Sequence, residues 1–229
     1  MRKTIGTLIC AALAVGAFGC KGGSAPANNA PANKPANTAS NTGSSNSSTS
    51  KKSDKPVIKD EKKPEGKAKT AKQVKVPDSW VYVYDETKGY GFSVPEGSTG
   101  QSDNVDGIDI YVAATPDPSE IMIYVLAYKN KELTKEDLLD DAVKFLEGMD
   151  NTVTSGKLTG QSDIYSLADA SMTGKDGVKS KAKILVGTDV TDNYVMILTT
   201  DEGKFAANEK VIDEIWGSFE IWSGGAASE

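Results

Sequence analysis

The feature that most limits what this chain can fold into is an abrupt change of composition near residue 75. Residues 21–50 consist almost wholly of Ala, Pro, Asn, Ser, Thr and Gly, without an aromatic or large aliphatic side chain. Such a stretch cannot bury enough apolar surface to offset the entropy lost on ordering. Residues 51–75 are rich in lysine and contain few acids. We therefore predict a disordered tether over residues 20–75.

Only the residues after position 75 have the apolar content of a folded domain. Their number is enough for one domain of ordinary size, which we predict over residues 76–223. The last residues, 224–229, are small and polar except for Glu229, and we expect them to fray.

Charge is divided between these two parts. Residues 21–75 hold 12 Lys and 4 acids, a net charge of +8, whereas residues 76–229 hold 12 Lys and 28 acids, a net charge of −16. An acidic domain without clustered basic and aromatic residues is unsuited to phosphate contacts, so we expect no nucleic-acid partner. The lysines of the tether either keep it solvated or bind anionic envelope surfaces.

The N-terminus carries the pattern of an export signal. Arg2 and Lys3 precede an apolar run that begins at Ile5 and is too short for a permanent membrane-spanning helix. The run ends in Ala17-Phe18-Gly19-Cys20, which resembles the lipobox of bacterial lipoprotein signals. This resemblance implies a signal peptide over residues 1–19. An ordinary secretory signal cut near Ala17 is the alternative.

Lipidation at Cys20 follows from the same resemblance. The cysteine would carry acyl chains such as palmitate and become the mature N-terminus, and each buried methylene stabilises attachment by about 0.8 kcal/mol. The membrane is then the first expected partner of the chain, and a protein or cell-wall polymer of the cell envelope is the second. Because Lys21 rather than an acid follows the cysteine, we expect the outer membrane.

The absence of histidine and the scarcity of cysteine exclude several kinds of chemistry. Histidine does not occur, and the only cysteines are Cys10, within the predicted signal, and Cys20. Catalytic triads with histidine, Cys-His dyads and His-ligated zinc or iron sites are therefore excluded. We expect no catalytic residue and no enzyme activity.

Hydrophobic periodicity in the second part predicts strands and two main helices. The first helix begins at a capping-box-like pair, Thr134 and Asp137, and runs to Met149. The apolar residues from Phe205 onward mark the second helix, which Gly217 closes. The segment 121–126 is apolar on both faces, as in a central strand. Period-two alternation or apolar runs predict the strands 80–84, 90–94, 108–112, 121–126, 152–159, 164–173, 178–188, 194–200 and 219–222. This order predicts an α+β fold with a mostly antiparallel sheet flanked by helices.

One strand also carries a family resemblance. The residues from Tyr90 to Gly97, Tyr-Gly-Phe-Ser-Val-Pro-Glu-Gly, resemble the opening strand of PsbP-like domains, although Ser98 stands where that family usually has Trp. The resemblance extends in element order over about residues 78–222 and implies a PsbP-like α-β-α sandwich. It also implies a non-catalytic binding or assembly-support role, and it carries over no functional residue.

Two groups of residues are candidates for a site. Asp103, Asp106 and Asp109 give one loop the oxygen-rich composition of a Ca²⁺ site, while the same residues are also ordinary turn formers. No other cofactor is expected. Aromatic residues form the other group, a candidate partner surface made of Trp80, Tyr82, Tyr84 and Trp222. The first three share one face of a strand, which either offers a ledge to a ligand or is covered by a helix, and Trp222 indicates a partner surface if it is exposed.

The leading hypothesis is therefore a lipid-anchored envelope protein with a non-catalytic binding domain. A Ca²⁺-dependent binding module that uses the acidic loop is the second hypothesis. A histidine-free hydrolase with a pair of carboxyl groups is the third, and it would need one carboxyl held protonated in an apolar pocket.

Overall fold

The computed structural model describes residues 56–105, 107–190 and 192–222. The predicted signal peptide, Cys20, Asp106 and the tail 224–229 lie outside these residues. Within the three ranges, neither helix has the length and hydropathy needed to cross a bilayer.

The described residues form twelve strands and two helices. The helices are α1 (Lys135–Gly148) and α2 (Glu202–Gly217). The strands are β1 (Ala68–Thr70), β2 (Val81–Asp85), β3 (Tyr90–Val94), β4 (Thr99–Val105), β5 (Ile108–Ala114), β6 (Met122–Tyr128), β7 (Asn151–Ser155), β8 (Thr159–Gly160), β9 (Tyr165–Gly174), β10 (Lys179–Asp189), β11 (Asp192–Asp201) and β12 (Glu220–Trp222). The α+β class and the mostly antiparallel pairing predicted from the sequence are confirmed.

An antiparallel sheet of eight strands is the centre of the fold. Its order is β4-β5-β6-β11-β10-β9-β7, and the short strand β8 pairs with β9. Strand β6 lies inside this order and is buried along almost its whole length, because both faces of the sheet are covered. The prediction of a central strand near residues 121–126 is thus confirmed.

Helix α1 covers one face of the large sheet. Its capping box is formed as predicted, with the Thr134 side chain accepting from the Asp137 backbone N–H. Leu138, Leu146 and Phe145 face the sheet, and the Phe145 ring meets Tyr124 at 5.3 Å. This face of the sheet is closed by a helix alone.

The opposite face is covered by α2 together with a second sheet. This small antiparallel sheet has the order β1-β12-β3-β2. Phe219, which follows α2, is 1% exposed and lies at the centre of the layer. Its ring contacts four other buried aromatic rings, with centroids 5.9 to 6.3 Å away: Tyr90, Phe92, Tyr165 and Tyr194.

The boundary predicted at residues 75/76 lies too late in the chain. Residues 68–70 form β1, which pairs with β12, and Ala71 is 7% exposed within the core. Two lysines of the supposed tether make long-range ion pairs, Lys63 with Glu220 and Lys69 with Asp189, each at 2.6 Å. Together with the pairing of β1, these ion pairs join part of the lysine-rich segment to the domain.

The acidic stretch predicted as a loop is a β-hairpin. Residues 99–105 form β4, although no strand was predicted there. Strand β5 follows after a tight turn with a positive φ at Gly107. Strand β4 is polar because it is the edge of the large sheet and most of its side chains are exposed. The predicted strand 152–159 is likewise shorter, since the chain leaves the ladder after Ser155 and returns only at β8.

Candidate functional site

An open cleft of about 300 Å³ lies between the two sheets at one end of the domain. Its walls come from β2 and β3 of the small sheet, the β4-β5 hairpin of the large sheet, and the segment 56–61, which we call the strap. The volume is at the lower limit for ligand pockets, so it suits a small ligand or one unit of a polymer.

The strap joins the free edges of both sheets. At its start, Val57 bridges to Thr99 at the edge of the large sheet, and the Ile58 N–H donates to the Ser98 carbonyl at 2.8 Å. At its end, the Glu61 N–H donates to the Tyr82 carbonyl of β2 at 2.9 Å. The strap thereby satisfies two sheet edges and closes one side of the cleft.

Two tyrosine hydroxyls line the cleft without a hydrogen-bond partner among the described residues. Tyr90 is 2% exposed, and Tyr111 is half-buried and packs edge-on against Phe92 at 6.0 Å. Neither hydroxyl bonds to another group of the described chain. A phenol that is otherwise buried usually finds a partner, so both hydroxyls are available to a ligand.

Glycine at position 100 is required for this arrangement. The Tyr111 ring lies across the neighbouring strand, where a Cβ at Gly100 would overlap the Tyr111 hydroxyl. Only a residue without a side chain lets the ring lie flat over β4 and point its hydroxyl into the cleft.

Both phenols are held in the protonated form. Burial raises the pKa of Tyr111 to about 12, with a further contribution from the Glu61 carboxylate. Burial also raises the pKa of Tyr90 well above its usual value, and Asp85 acts in the same direction. At neutral pH these groups are therefore hydrogen-bond donors and are neither bases nor nucleophiles.

The rim of the cleft is acidic. Glu61, Asp85 and Glu86 lie there with one cation, Lys59. Partial burial raises the pKa of Glu61, the Tyr84 backbone N–H lowers it, and the charge of Asp85 raises it again. Glu61 is nevertheless an exposed residue, so it is not a carboxyl kept protonated in an apolar pocket. The rim disfavours anionic ligands and offers acceptors to a ligand that donates hydrogen bonds.

A second cluster occupies the outer face of the small sheet, on the side away from the large sheet. Glu220 is 6% exposed and accepts from the Tyr82 hydroxyl at 3.0 Å and from Lys63 Nζ at 2.6 Å. The indole of Trp222 donates to the same Tyr82 hydroxyl at 3.0 Å. Tyr84 stacks on Tyr82 and meets Trp222 edge-on.

The cluster depends on a glycine in the middle strand. Tyr82 and Glu220 lie on strands that flank β3, and the Tyr82 side chain crosses β3 above Gly91. A Cβ at Gly91 would overlap the Tyr82 hydroxyl, so any other residue would displace the ring from Glu220.

The structure therefore brings together three of the four aromatic residues singled out in the sequence. Tyr82, Tyr84 and Trp222 form one surface, and residues 60–70 cover part of it. Trp80 lies just before β2 and packs at the margin of the core. Trp222 was expected to indicate a partner surface only if it is exposed. It is 9% exposed, so this requirement is not met.

The structure does not bring Asp103 and Asp109 together as metal ligands. In the hairpin register Asp109 lies opposite Asn104, and Asp103 lies opposite Ile110, so the two carboxylates lie on opposite faces of the sheet. Asp109 is already paired with Lys88 at 2.5 Å, and although burial acts to raise its pKa, hydrogen bonds from Lys88 and Asn104 lower it. Over residues 56–105, 107–190 and 192–222, no three ligand-type side chains form a cluster.

The cleft itself was not predicted from the sequence. Its chemical groups come from the strap, from β2-β3 and from the hairpin, and only the fold brings these segments together. Pattern analysis assigns Tyr90 and Tyr111 to strands and gives no sign that their hydroxyls are free. Glu220 carried one weak signal, because it is a charged residue between Phe219 and Ile221 in an otherwise apolar segment.

Comparisons with known proteins give likenesses in structure alone. No family model matches the chain, and no curated protein is similar to it in sequence. Similar solved structures include the cyanobacterial PsbP protein CyanoP from Synechocystis sp. PCC 6803, with 18% identity, a TM-score of 0.49, and coverage of 64% of this chain and 95% of that chain. A protein of Bacteroides thetaiotaomicron is 13% identical, with a TM-score of 0.42 and coverage of 63% and 49%.

A third structure is LpqN of Mycobacterium tuberculosis, described as involved in cell envelope biogenesis. It is 12% identical, with a TM-score of 0.35 and coverage of 69% of this chain and 86% of that chain. The family that residues 90–97 resemble is thus among these structures. At such scores the likeness carries no statement about function.

Proposed function

We propose that this chain is a lipid-anchored protein of the cell envelope whose domain binds, without catalysis, a saccharide unit of a cell-wall polymer in the cleft. The observation that carries the proposal is the pair of unpartnered hydroxyls of Tyr90 and Tyr111 beside the carboxylates of the rim. A sugar ring both donates and accepts hydrogen bonds and carries no charge that the acidic rim would repel.

The groups at the cleft favour binding over catalysis. The chain contains no histidine, and raised pKa values keep both cleft phenols protonated at neutral pH. Hydrolysis by two carboxyl groups requires one of them to be held protonated, and the exposed Glu61 does not meet this requirement. What remains is a set of donors and acceptors arranged around a small volume.

The anchor is tested by replacing the cysteine. We expect Cys20→Ser to move the protein from the membrane pellet to the soluble fraction almost completely, because two or more acyl chains are what makes attachment stable. Cys10→Ser is the matched control, since Cys10 leaves with the predicted signal, and it should stay in the pellet. A wild-type N-terminal peptide that mass spectrometry finds unmodified at Cys20 would refute the anchor.

The cleft is tested by removing its hydroxyls. Purified cell-wall sacculi are the probe, and co-sedimentation measures binding of the full-length chain. The double variant Tyr90→Phe/Tyr111→Phe keeps both rings and removes two donors, so we expect the affinity to fall about tenfold, as two hydrogen bonds of ~0.5–1.5 kcal/mol each predict.

The matched control is Tyr124→Phe/Tyr128→Phe, which removes two hydroxyls on the α1 side of the large sheet. This control should bind as the wild type does. Equal binding by the two double variants would show that the cleft is not the site. No sedimentation of the wild type with sacculi would remove the proposed ligand.

A further inference from the structure

We infer that the outer face of the small sheet is a recognition site for an alkylammonium group, and that the chain's own Lys63 fills it. The ammonium group of Lys63 lies 2.6 Å from the Glu220 carboxylate and within 6 Å of two aromatic rings, 5.6 Å from the Tyr82 centroid and 5.8 Å from the Trp222 centroid. A carboxylate with two ring faces is the combination that binds organic cations.

The receiving half of this site is built and largely buried. Apart from Lys63, two donors hold the Glu220 carboxylate: the Tyr82 hydroxyl at 3.0 Å and Thr70 Oγ1 at 3.3 Å. The Tyr82 hydroxyl is in turn fixed by the Trp222 indole. Rings and carboxylate are therefore positioned by bonds that do not involve Lys63.

The occupant, in contrast, is loosely connected to the fold. The Lys63 side chain is 55% exposed, whereas that of Glu220 is 8% exposed, so the ammonium enters from the solvent side. Between the Glu61 bond to β2 and the start of β1 at Ala68, residues 62–66 make no backbone hydrogen bond to another described residue. Lys63 can leave the site without breaking the ladder of either sheet.

These observations separate the site from an ordinary structural ion pair. In an ordinary structural ion pair the fold holds both partners in place. Here the donor, Lys63, lies on a loop whose backbone makes no hydrogen bond to other described residues, whereas the acceptor, Glu220, lies beside two rings held by other bonds. The ammonium group of another molecule, such as a lysine side chain or an amino group of a polymer, meets the same carboxylate and rings once the loop lifts. Because a tethered group acts at an effective concentration of about millimolar, Lys63 competes with free amines for the wild-type site.

The test uses the full-length chain with Lys63 replaced by alanine and n-butylammonium chloride as the probe. The readout is the NMR signal of the Trp222 indole N–H, assigned by its loss in Trp222→Phe, because this group borders the site. We expect butylammonium to shift this signal saturably and to raise Tm by about 3 °C near saturation. Sodium chloride at the same ionic strength should do neither.

Lys62→Ala is the matched control, since Lys62 is the neighbouring lysine and is exposed, with only a 3.9 Å pair to Glu65. In this variant and in the wild type Lys63 still competes for the site, so the Trp222 signal should respond only at higher butylammonium concentrations than in Lys63→Ala. In Lys63→Ala/Glu220→Gln the response should be lost, because the counter-charge is gone. A response that persists in the double variant, or that is equal in the wild type, would overturn the inference.

A variant that does not fold also gives an answer. If Lys63→Ala is unfolded in buffer, recovery of the dispersed Trp222 signal on adding butylammonium supports the site. Failure to recover the signal at about 1 M butylammonium, roughly a thousandfold above the effective concentration of the tethered lysine, contradicts the site. The inference does not rest on the cleft, so a failure of sacculus binding leaves it unaffected.

Discussion

A chain that begins at Val76 is expected to be less stable than one that begins at Pro56, by about 4 kcal/mol or more in the free energy of unfolding. The loss has two sources. Removal of Lys63 and Lys69 deletes their ion pairs with Glu220 and Asp189, whose side chains are 8% and 13% exposed. Removal of β1 and Ala71 uncovers the edge of β12 and part of the core.

Urea unfolding of the two chains measures this difference. The matched control is the Pro56 chain with Lys59→Ala and Lys62→Ala, which removes two exposed lysines and leaves β1 and both long-range pairs in place. The control should unfold within about 0.5 kcal/mol of its parent. Equal stability of the Val76 and Pro56 chains would mean that the strap and β1 do not belong to the folded unit.

Phe219→Ala is expected to lower the free energy of unfolding by about 3–5 kcal/mol, a large part of the total for a domain of this size. The Phe219 side chain is 1% exposed and its ring contacts four others, from β3, β9 and β11. Truncation would leave a cavity that the surrounding strands cannot close, since each of them is held in a sheet. The backbone carbonyl of Phe219 also accepts from Ala71, so the damage should extend to the segment before β2.

Urea unfolding followed by tryptophan fluorescence checks this result. Val178→Ala is the control, because Val178 is 51% exposed and its truncation should change stability by no more than about 0.5 kcal/mol. A loss below about 1 kcal/mol for Phe219→Ala would show that the aromatic cluster is not the centre of this layer.

The parts of the fold that could be predicted are those in which local pattern and burial agree. Strand β6 is apolar on both faces because both faces are covered, and α1 begins at a capping box that is written in the sequence. Trp216 lies on the apolar side of α2 and is 3% exposed, as its position in the helical pattern predicts. Periodicity is a reliable guide where one face of an element meets the core.

The parts that could not be predicted are held by contacts between distant residues. Strand β1 has three residues in a lysine-rich segment, and its partners β12 and Asp189 lie more than a hundred positions away. Strand β4 is polar because it is an edge, so it resembles a loop in the sequence. The cleft and the ammonium site share this origin, since each is assembled from segments that become neighbours only in the folded chain.

The course of the strap has a mechanical consequence. In a chain held at residue 20, a pull between the membrane and the domain enters the described structure at Pro56. The first attachments to bear that load are the Pro56–Ile58 contacts with β4, which is antiparallel to the strap at this point, and then the bond of Glu61 to β2. Tension would therefore act on the strap before it reached the core strands. In a chain anchored as proposed, displacement of the strap would widen the cleft and withdraw Lys63 from the Tyr82 and Trp222 rings, so both sites would respond to tension on the chain.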